Sequence, residues 1–236
     1  MALILIIETS TEVCSVSLIK DGIPFDSIES DEGQNHARLV TVFAEKLLSR
    51  NNLNTRELNA VAISKGPGSY TGLRIGASTA KGICYAANIP LIAVGTLEAM
   101  AKHVALNKTL FGISEDKPVL FCPMIDARRM EVYSMLLDED GVVLNPITAE
   151  IIDDSFLSDE LTNKQVVFFG NGSAKCEKFI KSPNALFVNN IKASAKHMTE
   201  LVWEAYNNNQ FEDVAYFEPF YLKDFVATVS KKNMLG

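Results

Sequence analysis

The chain has 236 residues, 47% of them hydrophobic and 22% charged, a balance that excludes the disordered, collagen-like and disulfide-scaffold classes. At about 150 residues per domain, that length allows one or two domains. The formal charge is −7, from 22 Lys and Arg against 29 Asp and Glu, and no block of basic residues occurs, so autonomous nucleic-acid binding is not expected.

The opening MALILIIETS carries an apolar run interrupted at Glu8 with no basic residue ahead of it, which reads as a strand rather than a secretory leader. Ala2 to Glu8, Val13 to Ile19 and Ile23 to Ile28 form three strand patterns, the last two joined by the hairpin signal Asp21-Gly22. A helix is expected from about Gln34 to Arg50, then a strand Ala60 to Ser64, a glycine-rich turn, a helix from about Thr71 to Ala87 and a strand Pro90 to Val94. No stretch approaches the ~20 apolar residues that span a bilayer, and the chain is expected to be soluble and cytoplasmic.

From Pro118 the pattern starts again. VLFCPMIDARRMEVYSMLLDEDGVVL lies on LILIIETSTEVCSVSLIKDGIPF, with Glu8 and Asp126 offset by 118 residues and Gly22 and Gly141 by 119. Val61 to Ser64 followed by Gly66-Pro67-Gly68-Ser69 matches Val166 to Phe169 followed by Gly170-Asn171-Gly172-Ser173 at an offset of 104, which implies a shorter element in the second copy. The expectation is an α/β protein of two duplicated lobes, residues 1–110 and 111–236, each a mixed sheet covered by helices. A ligand cleft between the lobes would then gather Glu8, Asp126, Gly66 to Gly68 and Gly170 to Gly172.

Several side chains invite a chemical reading. Gly66 to Gly72 leads from a strand into a helix, where free N–H groups could hold an anion. The Lys-Ser/Thr tail of a P-loop is missing, and the favoured reading is a tight turn capped by Ser69 or Thr71. Glu8 and Asp126 could form a carboxylate pair for metal or base chemistry. The structural alternative has Glu8 accepting backbone hydrogen bonds and Asp126 paired with Arg128 or Arg129. Ser69 lies in no GxSxG context, so a hydrolase is rejected. Cys14, Cys84, Cys122 and Cys176 form no CxxC pair and read as packed thiols, and His36, His103 and His197 make no HxxxH or HExxH motif, so no metal is expected. In FEDVAYFEPFYLKDF, Tyr216, Phe217 and Tyr221 are expected to pack onto the body.

The two helices carry more apolar surface than one face can hold. Leu39, Phe43, Leu47, Val40, Ala44, Ala37, Leu48 and Val42 spread over roughly 240° at 100° per residue, beyond the usual ~100° stripe. From Leu73 to Ala87 only Arg74 and Lys81 are strongly polar, and Gly76, Ala80 and Cys84 recur every four residues, allowing close helix approach. The surplus points to a protein partner, with coverage by the chain's other lobe as the alternative. The expected interface is Leu39, Val40, Phe43 and Leu47 with Leu73, Gly76, Ala77, Ala80, Ile83 and Cys84.

Duplicated lobes of this kind resemble the actin, sugar kinase and Hsp70 ATPase superfamily, whose lobes are ribonuclease H-like. ILIIETSTEVCSVSL, KGPGSYTGLRIG, DARRMEVY and EPFYLK, in this order over about residues 3 to 223, resemble the TsaB (YeaZ) family. The resemblance implies a non-catalytic subunit that pairs with the catalytic paralogue TsaD and, with the ATPase TsaE, supports threonylcarbamoyl transfer onto adenosine 37 of tRNA. A homodimer is expected in isolation, because exposed apolar surface must be covered, and no tightly held cofactor, because the phosphate-binding side chains are incomplete. tRNA contact is expected only through the complex, and ATP or ADP and magnesium only at the complex interface. The paralogue holds its metal with HxxxH, whereas here His36 is followed four residues on by Val40. Tyr70 stands where Phe is commoner, Met130 where Gly is common, and Glu8 where Asp is frequent. Glu8, Ser10, Gly66, Gly68, Ser69 and Asp126 would be a vestigial nucleotide site. The rival reading is an ATP-dependent kinase-like or acyl-transferring enzyme using Glu8 and Asp126.

Overall fold

The computed structural model describes residues 1–32, 35–114 and 117–223. The first half runs β1 (Leu3–Glu8), β2 (Cys14–Lys20), β3 (Ile23–Ser30), α1 (His36–Arg50), β4 (Ala60–Ser64), α2 (Tyr70–Ala87), β5 (Leu91–Val94) and α3 (Thr96–Leu106). The second runs β6 (Val119–Asp126), β7 (Glu131–Leu137), β8 (Val143–Ile151), the short α4 (Glu160–Asn163), β9 (Gln165–Phe169), β10 (Ala185–Val188) and α5 (Thr199–Asn207). Gln34, the expected first residue of the α1 helix, and residues 224–236 of the expected second lobe lie outside the described residues.

Both halves make the same five-stranded mixed sheet. The orders are β3-β2-β1-β4-β5 and β8-β7-β6-β9-β10, each an antiparallel meander joined to two parallel strands. The duplication read from residue offsets is therefore a duplication of topology. The copies differ in their helices: the 15 residues of α1 shrink to the four of α4, and where α2 follows β4, a run of turns follows β9.

Strand periodicity sorts the core into layers. On β1, Leu3, Leu5 and Ile7 face α1 and α2, while Ile4 and Ile6 face α5 and the turn at Ala195–Met198. On the second sheet, Phe121, Ile125, Val167 and Phe169 meet Leu97, Met100 and Val104 of α3, and Leu120, Cys122, Val166 and Phe168 pack under Leu161 and Ile180. So α3, from the first half, covers the second sheet, and α5, from the second half, covers the first. All four cysteines are free and buried. Among the described residues, no helix is long and apolar enough to cross a membrane.

The apolar surplus of α1 and α2 is absorbed within the chain. Val40, Phe43, Ala44 and Leu47 of α1 join Ala77, Ala80 and Cys84 of α2 in one cluster over the first sheet. A third element closes it: Lys81 Nζ donates to the carbonyls of Ala215 and Phe217 at 3.0 and 3.2 Å, and Phe217 enters the same cluster. Tyr221 packs at a tilt against Tyr70, ring centroids 4.8 Å apart, whereas Tyr216, expected to pack, is 85% exposed.

The N-terminal turn of α2 is set by glycines pressed against the β1–β2 turn. A Cβ at Gly68 would sit 2.3 Å from the Ser10 carbonyl oxygen, one at Gly72 2.0 Å from that of Thr9, and one at Gly76 2.4 Å from Thr9 Oγ1. Gly82, in contrast, has open space around it. Gly72→Ala is expected to destabilise the chain by about 3 kcal/mol or more in urea unfolding, since neither backbone can give way without shifting α2. Gly82→Ala, on the exposed side of the same helix, should stabilise by roughly 0.5–1 kcal/mol. Equal responses at the two positions would disprove the packing asymmetry.

Candidate functional site at the glycine turn and the helix pair

At the end of β1, Glu8 is 1% exposed, and its Oε1 accepts from the Ser10 backbone N–H at 2.6 Å and from Ser64 Oγ at 2.8 Å. Burial pushes its carboxyl above the ordinary range, against the hydrogen bonds from Ser10 and Ser64. Ser69 caps α2, its Oγ accepting from the Gly72 N–H at 3.3 Å, and its own N–H donates to the Ser10 carbonyl at 2.6 Å. Thr9 Oγ1 donates to the Gly72 carbonyl at 2.8 Å. The space a phosphate would take at this turn is thus filled by the carbonyls of Thr9 and Ser10, and the residues do not fit a nucleotide phosphate there. Among the described residues no histidine bonds to Ser69, whose hydroxyl is a helix cap.

Of the six residues grouped as a vestigial nucleotide site, Glu8, Ser10, Gly68 and Ser69 are brought together, Gly66 lies against the Phe220 carbonyl and Leu73, and Asp126 is held in the second half. Its partners are Lys175 Nζ at 2.7 Å and the Arg128 backbone N–H at 2.6 Å, rather than either arginine side chain. Each glycine turn packs on the strand-end turn of its own half, Gly170 and Gly172 lying against Met124 to Asp126. The two halves meet through a residue that sequence reasoning missed. Asn171 Nδ2 donates to Glu12 Oε2 at 2.7 Å, and Asn171 Oδ1 accepts from the Asp126 N–H at 3.0 Å. Among the described residues Glu8 and Asp126 share no hydrogen-bond partner, and each is used by its own turn, Glu8 accepting from Ser10 and Ser64 and Asp126 from Lys175 and Arg128.

The histidines are placed separately. His36 Nε2 lies 2.9 Å from the Thr11 carbonyl and 3.2 Å from that of Val13, which makes it the protonated ring nitrogen and a brace on the β1–β2 turn. His197 stacks on His103 at 3.8 Å, and burial holds its pKa down to about 4, with His103 adding to the depression. Among the described residues, no group of three or more His, Cys, Asp or Glu side chains is placed to hold a metal ion.

The expected interface residues divide by side. Val40, Phe43, Leu47, Leu73, Gly76, Ala77, Ala80 and Cys84 are buried inside the chain, while Leu39 and Ile83 remain half-buried. The small-residue stripe Gly76, Ala80, Cys84 faces inward, because α1, the sheet and residues 214–217 together cover more of α2 than a sheet alone could. The stripe that faces outward is Ser78, Gly82 and Ala86, again four residues apart and all exposed. It forms one wall of a groove of about 590 Å³ whose other wall is Thr41, Leu48 and Leu53.

Two β-meanders with crossover strands, sharing helices across the middle, define an α/β protein of two similar halves. The family model for TsaD, tRNA N6-adenosine threonylcarbamoyltransferase, matches residues 30–231. The chain is 27% identical to the tRNA threonylcarbamoyladenosine biosynthesis protein TsaB of Haemophilus influenzae over 94% of each chain, and 26% identical to that of Escherichia coli over 95% of this chain and 96% of the other. The fold matches YeaZ from Pseudomonas aeruginosa with a TM-score of 0.78 at 22% identity, covering 94% of this chain and all of that one. The chain belongs to the TsaD-related family and, within it, to the TsaB (YeaZ) branch.

A carboxyl whose native pKa is raised binds its proton more tightly folded than unfolded. Its stabilising contribution is full below the ordinary value near 4.5 and is lost as pH rises toward the raised one. Glu8→Gln is therefore expected to raise the thermal midpoint relative to wild type at pH 7–8, with the difference shrinking as pH falls to 4.5. A difference that grows on acidification would overturn this account of Glu8.

Proposed function

We propose that this chain is a non-catalytic subunit of the apparatus that makes N6-threonylcarbamoyladenosine at position 37 of tRNA, and that it holds a TsaD-type paralogue through the outer faces of α1 and α2. The observation that carries this reading is the groove between those helices. Its small stripe, Ser78, Gly82 and Ala86, lets a partner helix approach closely, and the half-buried Leu53 and Ile83 offer apolar contact on either side. The names of the relatives support the pathway. The filled glycine turn, buried Glu8 and the structural use of His36 support a role without chemistry of its own.

In this reading the same groove is covered by a second copy when the paralogue is absent, giving a homodimer that the heteromer replaces. The ATPase TsaE and any nucleotide with magnesium join at the complex, and tRNA is reached through the assembly.

Gly82→Glu and Ser78→Arg place charge on the outward stripe without entering the core. Each is expected to weaken association with the paralogue by at least about ten-fold, close to 1.4 kcal/mol, in calorimetric titration. The circular dichroism melt should stay near that of wild type. Reconstitution with either variant should lose modified adenosine in parallel. Undiminished association in both would rule out this face, and modification that proceeds equally well without the chain would rule out the function.

A further inference from the structure

The DARRMEVY block is not used by the helix-pair surface, and it holds the most unusual backbone in the second half. Arg128 and Arg129 are both left-handed, at φ 73° and 54°, and both are exposed. Residues with a Cβ rarely adopt this conformation, and Asn, Asp and Gly do so most readily. The chain follows that preference elsewhere: among the described residues, five of the eight non-glycine positions with positive φ are Asn or Asp. Two adjacent arginines are the costly choice for the backbone, so the reason for them lies in their side chains.

The turn is held from beneath. Lys175 Nζ, largely covered, donates to Asp126 Oδ1 at 2.7 Å, to the Arg129 carbonyl at 3.1 Å and to the Glu131 carbonyl. Asp126 Oδ1 also accepts from the Arg128 N–H, and Glu131 closes the turn by donating to the Arg128 carbonyl at 3.2 Å. The nearby acids are engaged: Asp126 by Lys175, Glu131 by Lys223, and Glu12 by Asn171. Among the described residues, neither guanidinium has a hydrogen-bond or ion-pair partner. The equivalent turn of the first half, Thr9 and Ser10, is roofed by α2. The second half has no such helix, and this turn stands open.

We propose that the Arg128–Arg129 turn is a phosphate-binding site that contacts the tRNA backbone in the assembled complex. This rests on the function proposed above. Two unpaired guanidiniums on a braced turn offer planar, multidentate donors matched to phosphate oxygens. A contact of this kind adds affinity and orientation without reading bases, which suits a chain of net charge −7 that meets tRNA only inside an assembly.

The test is the double substitution Arg128→Asn with Arg129→Asn, which removes both charges while supplying residues that favour the left-handed backbone. The thermal midpoint is expected to hold or rise, and assembly with the paralogue to persist. The affinity of the assembled complex for an unmodified tRNA transcript should fall about five-fold or more near 0.1 M salt, and the slope of log K against log salt should flatten by about 1 to 2. Arg128→Lys with Arg129→Lys should restore part of both. Unchanged affinity and slope in the Asn variant would overturn the site, as would loss of assembly with the paralogue, which would make the turn a protein contact. Binding of inorganic triphosphate or ATP that depends on the arginines while tRNA affinity does not would also overturn it. Should the wild-type chain fail to assemble, the proposed function falls and takes this contact with it, an outcome distinct from intact assembly with unchanged tRNA affinity, which overturns the turn alone.

Discussion

The structure turns on one close contact, the backbone of Thr9 and Ser10 against the first two turns of α2. Three glycines at 68, 72 and 76 let the chain approach within distances that any side chain would forbid. Two hydrogen bonds, from the Ser69 N–H to the Ser10 carbonyl and from Thr9 Oγ1 to the Gly72 carbonyl, lock the approach. The contact fixes the roll of α2 about its axis. With Gly76, Ala80 and Cys84 turned inward, Ser78, Gly82 and Ala86 must face out, about half a turn away. The outer groove is thus a consequence of how tightly the inner face is seated.

Duplication supplied two similar sheets, and divergence made their strand-end turns different in kind. In the first half the crossover helix seals the turn, so Glu8 is dry, burial favours its neutral form, and the Ser10 and Gly72 carbonyls are engaged. In the second half the helix is reduced to a run of turns, and Lys175 takes over the task of holding the loop by a charge-assisted hydrogen bond and two bonds to carbonyls. An acid at the end of a strand has therefore become a buried acceptor in one copy and a surface anchor in the other. Equivalent positions in a repeat do not inherit equivalent chemistry, because the cost of a carboxylate is set by what covers it.

Much of the fold was legible in the residues. Apolar runs marked β1 and β4, alternation marked β2, Asp21-Gly22 and Asp140-Gly141 marked the hairpins, and matching offsets exposed the repeat. The excess apolar surface on the two helices was also read correctly as a need for more cover than one sheet provides. What covers it was not legible. Phe217 and Lys81 are 136 residues apart and the sequence carries no periodic signal for their contact, and α1 and α2 shield one another by a mutual packing that helical periodicity of either alone does not specify. The Glu12–Asn171 bridge and the role of Lys175 were hidden for the same reason: a single polar pair across 159 or 49 residues leaves no pattern.

The consequence for function is that surface and core must be separated before apolar residues are counted as interface. Eight of the ten side chains first grouped as a docking face belong to the chain's own interior, and charge placed on them would report unfolding rather than lost association. The same sequence reasoning, moved two residues along α2, lands on Ser78, Gly82 and Ala86, where small size is not required by any internal neighbour: Gly82 meets nothing within 4 Å. Mid-helix glycine with open space beside it costs roughly 1 kcal/mol against alanine and returns nothing within the monomer. A residue that weakens its own helix without an internal reason is best explained by something that packs against it from outside.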